Sequence, residues 1–326
     1  MVPTPEPARS DEFAAALRLL FGHLESTEAE KRLSNALLLL ERGELNRDGI
    51  FVLRGVGGGD GGAANSIYGV FVCLPLVGAT GLVWPPRCVT NADTLHNEDL
   101  LVRHGTGWLR HQGVKVAQAL LALEESELGA PLLRNGFQHI THLNFFRHDL
   151  DLPLRLLQRL EKLEYQSYEE CDPALFRQTL ARTYLETRDC PELNGVREVA
   201  EVILGHQSQG RFDPTRWFLA CAGGEPIGVL MLTEMPESGD WDLSYTGITP
   251  EYRRQGFGTE LVLKALLEAK AADAMYLSLA VDGRNVPALA LYRQLGFEPY
   301  DRREVYLAIC RDDAPPVANS KSSSIT

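Results

Sequence analysis

A chain of 326 residues is long enough for two domains of ordinary size. Hydrophobic residues make up 44% and charged residues 23%, which excludes an intrinsically disordered chain and lets either half bury a core without disulfide or metal staples. The net charge of −12 disfavours sequence-independent binding to nucleic acid or anionic lipid, although a local basic patch can survive a negative total. Six scattered cysteines (Cys73, Cys88, Cys171, Cys190, Cys221 and Cys310) form no C-x-x-C pair. They suit neither a secreted disulfide framework nor a zinc site, and a reduced, cytoplasmic setting is expected. The opening MVPTPEPARSDEF has no basic stretch followed by an apolar run, so no secretory signal is expected.

Asp11–Glu25 places Phe13, Leu17, Leu20, Phe21 and Leu24 on one helical face, and Glu28–Glu41 repeats the pattern with Leu33, Leu37 and Leu40. Ile50–Leu53 then reads as a strand and Gly55–Asn65 as a glycine-rich loop. No charge occurs from Gly61 to Pro86, a length that could span a bilayer. Its valines, Pro75 and Gly69, Gly78 and Gly81 fit two buried strands better, at Ile67–Leu74 and Gly81–Trp84. A helix over Gly113–Glu125 and a strand over His139–Phe146 complete the first half.

The second half runs through a similar order. Tyr165–Glu170 reads as a strand, and Pro173–Glu186 and Leu193–His206 as amphipathic helices. Trp217–Ala222 and Ile227–Thr233 are strands joined by the turn Ala222-Gly223-Gly224-Glu225, and Leu243–Ile248 is a third. Thr259–Ala271 is a helix, Met275–Val281 a strand, Asn285–Leu295 a helix and Arg303–Ile309 a last strand. Residues 312–326 are polar and serine-rich, the composition of a disordered tail. Short matches accompany the repeated order: Arg110-His111-Gln112-Gly113 mirrors Arg253-Arg254-Gln255-Gly256, each expected at a helix start. Leu133-Arg134-Asn135-Gly136-Phe137 likewise mirrors Tyr292-Arg293-Gln294-Leu295-Gly296-Phe297. The spacing between them is 23 residues in the first half and 40 in the second, which suggests that the first copy has lost a strand and part of a helix.

Ile248–Gly258, ITPEYRRQGFG, is where a strand passes through a basic, glycine-containing turn into a helix. Glycines 256 and 258 let backbone N–H groups approach an anion, the helix adds its positive end, and Arg253 and Arg254 add charge. It is neither a Walker loop nor a full dinucleotide fingerprint, and alone it reads equally as an ordinary strand–helix turn. Downstream comes Asn285-Val286-Pro287-Ala288-Leu289-Ala290-Leu291-Tyr292-Arg293-Gln294-Leu295-Gly296-Phe297. Together, R-x-x-G-x-G and N-x-x-A-x-x-x-Y-x-x-x-G-F resemble the GNAT superfamily of acetyl-CoA-dependent N-acyltransferases, over Tyr165 to about Ile309. The first half resembles it only partly, with Lys115 in place of the second glycine and no match to the later asparagine or tyrosine.

The resemblance implies an α/β (α+β) fold: two tandem GNAT-like domains, each a mixed, mostly antiparallel sheet flanked by helices, with a splayed central strand pair. The domains are expected at 1–150 (degenerate) and 151–311 (catalytic). It implies that Gln255, Gly256, Phe257, Gly258 and Thr259 hold the CoA pyrophosphate with help from Arg253 and Arg254. Ile248 and Thr249 would pair with the pantetheine arm through their backbones, and Asn285 would cap its helix or bond that arm. Tyr292 is the candidate general acid for the leaving thiolate, or else a core aromatic; Asp242 and Glu234 are candidate general bases, or else solvated strand-end carboxylates. Cys190 and Cys221 lack a histidine partner and read as structural thiols. In Thr187–Arg197, Asp189 and Glu192 either attract a cationic amine or serve as caps and salt-bridge partners of Arg188 or Arg197. The histidines of the first half, His139 and His142 among them, show no metal-ligand spacing.

The expected activity is transfer of an acetyl group from acetyl-CoA to a primary amine by direct attack, with one CoA per chain and no metal. The first copy would be a scaffold at one side of the acceptor site. Neither nucleic acid nor membrane is an expected partner, and the chain would act as a monomer or homodimer. The alternative is a non-catalytic acyl-CoA-binding or regulatory module.

Overall fold

A computed structural model of the chain describes residues 3–55, 66–154 and 162–310. Most of the glycine-rich loop before Ser66, and the tail 312–326, lie outside the described residues. One element order occurs twice along the chain. The first round runs β1 (Glu6–Pro7), α1 (Phe13–Phe21), α2 (Ser26–Glu41), β2 (Ile50–Arg54), β3 (Ile67–Leu76), β4 (Thr80–Cys88), α3 (Thr94–His111), β5 (Val116–Ala122), α4 (Ala130–Arg134) and β6 (Gln138–Asp149). The second runs β7 (Glu164–Ser167), α5 (Pro173–Thr183), α6 (Val199–Gln207), β8 (Trp217–Ala222), β9 (Glu225–Met235), β10 (Asp240–Ile248), α7 (Phe257–Ala271), β11 (Tyr276–Asp282), α8 (Val286–Leu295) and β12 (Glu298–Ile309).

This repetition corrects the expectation that the first copy has lost elements. The helix expected over Gly113–Glu125 is a strand, β5, in which Ala117, Ala119 and Leu121 alternate into the core. Leucine and alanine suit a helix, but the sheet neighbours decide the outcome. The helix of this region is α3, ending before Gly113 at φ +80°. Its apolar face was hidden because Asn97 and Gly105 are among its buried residues. Arg110–Gly113 therefore closes a helix, whereas Arg253–Gly256 opens one, and their likeness is not a structural correspondence. Gly136 and Gly296 do correspond, each at a left-handed turn after the last helix of its half (φ +92° and +95°).

By packing, the chain forms two compact units. Of the described residues, one comprises those up to Pro75, Gly81–Ala117 and Ala308–Cys310. In its sheet β1 and β3 flank β2, both antiparallel to it. Leu17, Leu20, Leu33 and Leu40 of α1 and α2 pack on Ile50, Val52, Val70 and Val72 at one face. Phe51 points the other way, against His104 and Trp108 of α3. Within the uncharged stretch, the described part is β3 and β4. No helix among the described residues is long and apolar enough to cross a membrane.

The other unit comprises Leu76–Thr80 and Gln118–Leu307. Its strands lie in the order β5-β12-β6-β11-β10-β9-β8-β7. β6 precedes residue 150 in the chain, yet it pairs antiparallel along both edges: Phe146 faces Leu279 of β11 and Pro299 of β12. Side-chain alternation along β8 divides the unit into two cores. Trp217, Leu219 and Cys221 join Phe176 and Leu180 of α5 and Ile203 of α6, while Phe218 and Ala220 join α7 on the opposite face.

Candidate active site

β10 and β11 are parallel but pair only at Trp241–Leu277 and Asp242–Ser278, after which they part. The gap beyond Asp242 joins the two faces of the sheet. On one side lie α5, α6 and the segment between them; on the other lie α7 and α8.

The turn from β10 into α7 stands at the mouth of this gap. Arg254 and Gly256 both have left-handed backbones, φ +61° and +93°. Glycine holds the second without strain, and a Cβ there would meet nothing within 4 Å, so conformation and not space demands it. The amides of Thr259 and Glu260 fold back onto the Gly256 carbonyl at 3.1 and 3.3 Å. Those of Phe257 and Gly258, the first two of α7, have no acceptor within the helix and carry its positive end. A Cβ on Gly258 would come no closer to protein than 3.8 Å, leaving the space beside its amide open to a ligand. This arrangement fits an anion such as a pyrophosphate.

The two arginines of the turn are used differently. Arg254 is exposed at the turn. Arg253 turns inward: Nε donates to the Ile248 carbonyl (3.0 Å), Nη1 to Glu186 (3.1 Å), and Nη2 to Thr183 (3.0 Å) and Leu185 (2.7 Å). It clamps the end of α5 to the end of β10, satisfying carbonyls that a helix terminus leaves open. The Thr249 amide is likewise engaged, by the Ile227 carbonyl at 2.8 Å. The Gln255 side chain donates to the Glu251 carbonyl at 3.0 Å, and Asn285 caps α8 by accepting from the Ala288 amide.

Asp242 sits where the two strands part. Burial pushes its carboxyl up to about 6, against the pull of the hydroxyls of Ser278, which donates at 3.1 Å, and Ser244. Glu234 is not beside it. In the antiparallel ladder Asp242 faces Thr233 and Trp241 faces Glu234, so the two carboxylates project from opposite faces. Arg211 grips both Glu234 oxygens at 3.1 Å. Tyr292, 7% exposed, packs with Leu289 and Phe297 in the core under α7. Burial first, then the negative fields of Asp189 and Asp242, raise its pKa and keep the phenol protonated. Burial also raises the Cys190 and Cys221 thiols, the reverse of what a nucleophile requires.

A network that the motifs did not reveal fixes the segment after α5. Asp282, at the end of β11 and fully buried, accepts from the Thr141 hydroxyl (2.6 Å), the Cys190 amide (3.0 Å) and Arg284. Burial alone would raise its pKa, but these donors hold it down at about 2. Arg284 also binds both oxygens of Glu192, at 2.6 and 2.9 Å, so Glu192 is neither free nor paired with Arg188 or Arg197. Asp189 accepts from the Asp282 amide at 2.8 Å, and burial raises its pKa. Nearby, the Tyr245 and Thr183 hydroxyls lie 2.8 Å apart, and the rings of Tyr184 and His206 stand 5.1 and 5.9 Å from that of Tyr245. Tyr184, His206, Tyr245 and Asp242 keep some accessible surface, yet surrounding protein shifts each one towards its neutral form. Partly accessible groups with such shifts are characteristic of functional sites. In the β6 strand, His139 pairs with Glu304 at 2.6 Å, and His142 packs against Gly283. No cluster able to hold a metal occurs among the described residues.

Residues 168–297 match the family model described as Acetyltransferase (GNAT) family. A mycothiol acetyltransferase of Nocardiopsis dassonvillei is 31% identical over 121 residues, 35% of this chain and 36% of that protein. The N-alpha-acetyltransferase RimI of Mycobacterium tuberculosis is 30% identical over 97 residues, 29% of this chain and 60% of that one. The matched regions thus span between about a third and three fifths of these relatives. The crystal structure of a GCN5-related N-acetyltransferase from Sphaerobacter thermophilus superposes with a TM-score of 0.60 at 15% identity, covering 95% of this chain and 96% of its own, a likeness of fold. With the cradle, the parted strands and this fold in agreement, the segment 168–297 belongs to the GNAT acetyltransferase family.

Proposed function

We propose that the second half of the chain transfers an acetyl group from acetyl-CoA to a primary amine by direct attack. The observation that carries this reading is the parting of β10 and β11 beyond Asp242, with a glycine cradle at the exit of β10 and a protonated tyrosine beneath. Acetyl-CoA supplies an activated thioester. The amides of Phe257 and Gly258, with Arg254, would hold its pyrophosphate, and the β11-facing backbone of β10 beyond Asp242 would pair with its pantetheine amides. Arg253 acts behind them as a clamp and Thr259 through its place in the first turn of α7.

Acceptor and cofactor enter from opposite faces. Asp242, half ionised at about pH 6, accepts the proton that the amine gives up as it bonds to the acyl carbon. The Tyr292 hydroxyl gives its proton to the departing thiolate and regains one through solvent. Glu234, held by Arg211 on the other face, takes no part.

One CoA per chain is expected. In the first half the connection from β4 to α3 is Val89-Thr90-Asn91-Ala92-Asp93, without a glycine or a basic residue, and Asp93 places a negative charge where an anion would sit. The relatives' names speak of acetyl transfer and support the reaction class, but not the acceptor. Incubating the purified chain with acetyl-CoA and an amine library, with thiol release as readout, tests the reading. Binding of one acetyl-CoA without turnover on any amine would favour an acyl-CoA-binding module instead.

A further inference from the structure

We infer that the acceptor amine carries a carboxylate, and that Arg197 is the group that receives it. This rests on the acetyltransferase reading of the cleft and adds the chemical class of its second substrate.

Arg197 lies half-buried in the segment between α5 and α6. One edge of its guanidinium is fixed: Nη1 donates to the Gly78 carbonyl at 3.3 Å and to the Thr80 hydroxyl at 3.0 Å, both in the turn between β3 and β4. No carboxylate lies within ion-pairing distance among the described residues. The field of Glu201 reaches it, and one Glu201 oxygen accepts from the Glu198 amide at 2.8 Å. The other arginines around the cleft are satisfied: Arg253 by four carbonyls, Arg284 by two carboxylates, Arg211 by Glu234. Arg197 alone among them keeps a free edge, and burial lowers its pKa, the mark of a cation whose hydration is not fully replaced.

The free edge of this half-buried cation is open to solvent, so an incoming anion can reach it and displace its water. The planar free edge fits a bidentate oxyanion. The surroundings also limit its charge. His206 is held neutral by burial, at about 4, and Tyr184 is an un-ionised phenol, so Arg197 is the one cation of this group. One positive charge balances a carboxylate and not a doubly charged phosphate. Asp242, the base of the proposed transfer, marks where the amine of the same substrate lies, beside the parting strands and within the electrostatic reach of Tyr292. A cleft with one carboxylate-binding pole and one amine-binding pole suits an amino acid or a comparable amino-carboxylate.

The test compares N-acetyl amino acids with their primary amides as product-like probes, binding measured by calorimetry on the full chain in the presence of CoA. At least one acid is expected to bind tenfold or more tighter than its amide. In Arg197→Ala that preference should fall to within twofold, while acetyl-CoA affinity stays unchanged. Arg197→Lys keeps the charge but loses the fork, and should lose at least threefold; it serves as the readout if the alanine variant unfolds. Equal binding of every acid and amide, no binding by any acid, or a preference that survives in the variants overturns the inference. Failure of the wild-type chain to bind acetyl-CoA would instead overturn the acetyltransferase reading, and the two failures are separately visible.

Discussion

The carboxyl of Asp242 offers the sharpest test, because in the proposed mechanism one group sets both rate and stability with opposite signs. Its folded-state pKa of about 6 lies above the ordinary value, so the folded chain keeps a proton that the unfolded chain releases near pH 4. Stability is therefore highest below that value and falls as pH rises through about 6, by roughly 2–3 kcal/mol in total. Asp242→Asn removes that penalty: at pH 7.5 the variant should melt several degrees above wild type while kcat falls about 10²–10³-fold. In wild type, kcat/KM expressed per neutral amine should rise with unit slope and level off near pH 6. Ser278→Ala, which deletes a 3.1 Å hydrogen bond to the carboxylate worth about 1.5 kcal/mol, should move that midpoint up to about 7. Stopped thiol-release assays across pH 5–9 and thermal melts at pH 5 and 7.5 provide both readouts. An asparagine variant with undiminished turnover, or a serine variant with an unmoved midpoint, would refute Asp242 as the base.

Three further outcomes follow from the site. Tyr292→Phe should lower kcat about 10²-fold and leave the acetyl-CoA dissociation constant within twofold, by kinetics and calorimetry; equal losses in both would assign the residue to packing. Gly258→Val should weaken acetyl-CoA binding more than tenfold with little change in melting temperature, since its Cβ has room in the protein and meets only the ligand. Arg253→Ala should cost about 2–4 kcal/mol in urea unfolding, because carbonyls of Thr183, Leu185, Glu186 and Ile248 lose their donor together; a change below 1 kcal/mol would deny it the role of clamp.

Much of the candidate site's local geometry is legible in the sequence. The left-handed turn at Gly256, the open space beside Gly258 and the Asn285 cap are each set within a few residues of the chain, at helix starts whose requirements are known. What the sequence could not convey is which distant partner claims a side chain. Arg253 looks like a phosphate ligand until α5 is seen to end beside it with open carbonyls. Glu192 and Asp189 look like twin attractants for an amine, but one is claimed by Arg284 and the other by the Asp282 amide. Glu234 and Asp242 look interchangeable until strand register places them on opposite faces. The mistaken helix after Gly113 has a related cause, since leucine and alanine leave the period ambiguous and the sheet resolves it. Asp282 carried no signal beyond a charge at the end of an apolar strand, a pattern that a solvated strand end shows equally well.

The placement of β6 has a consequence for any shortened form of the chain. A chain begun at residue 151 would contain every motif residue, and would still leave β11 and β12 with no strand between them. Each would present a row of unsatisfied backbone groups, an invitation to aggregation. The second half is therefore not a separable cassette: gene fusions, truncations or domain shuffling that cut near residue 150 break the sheet holding Tyr276–Asp282, and with it one wall of the gap.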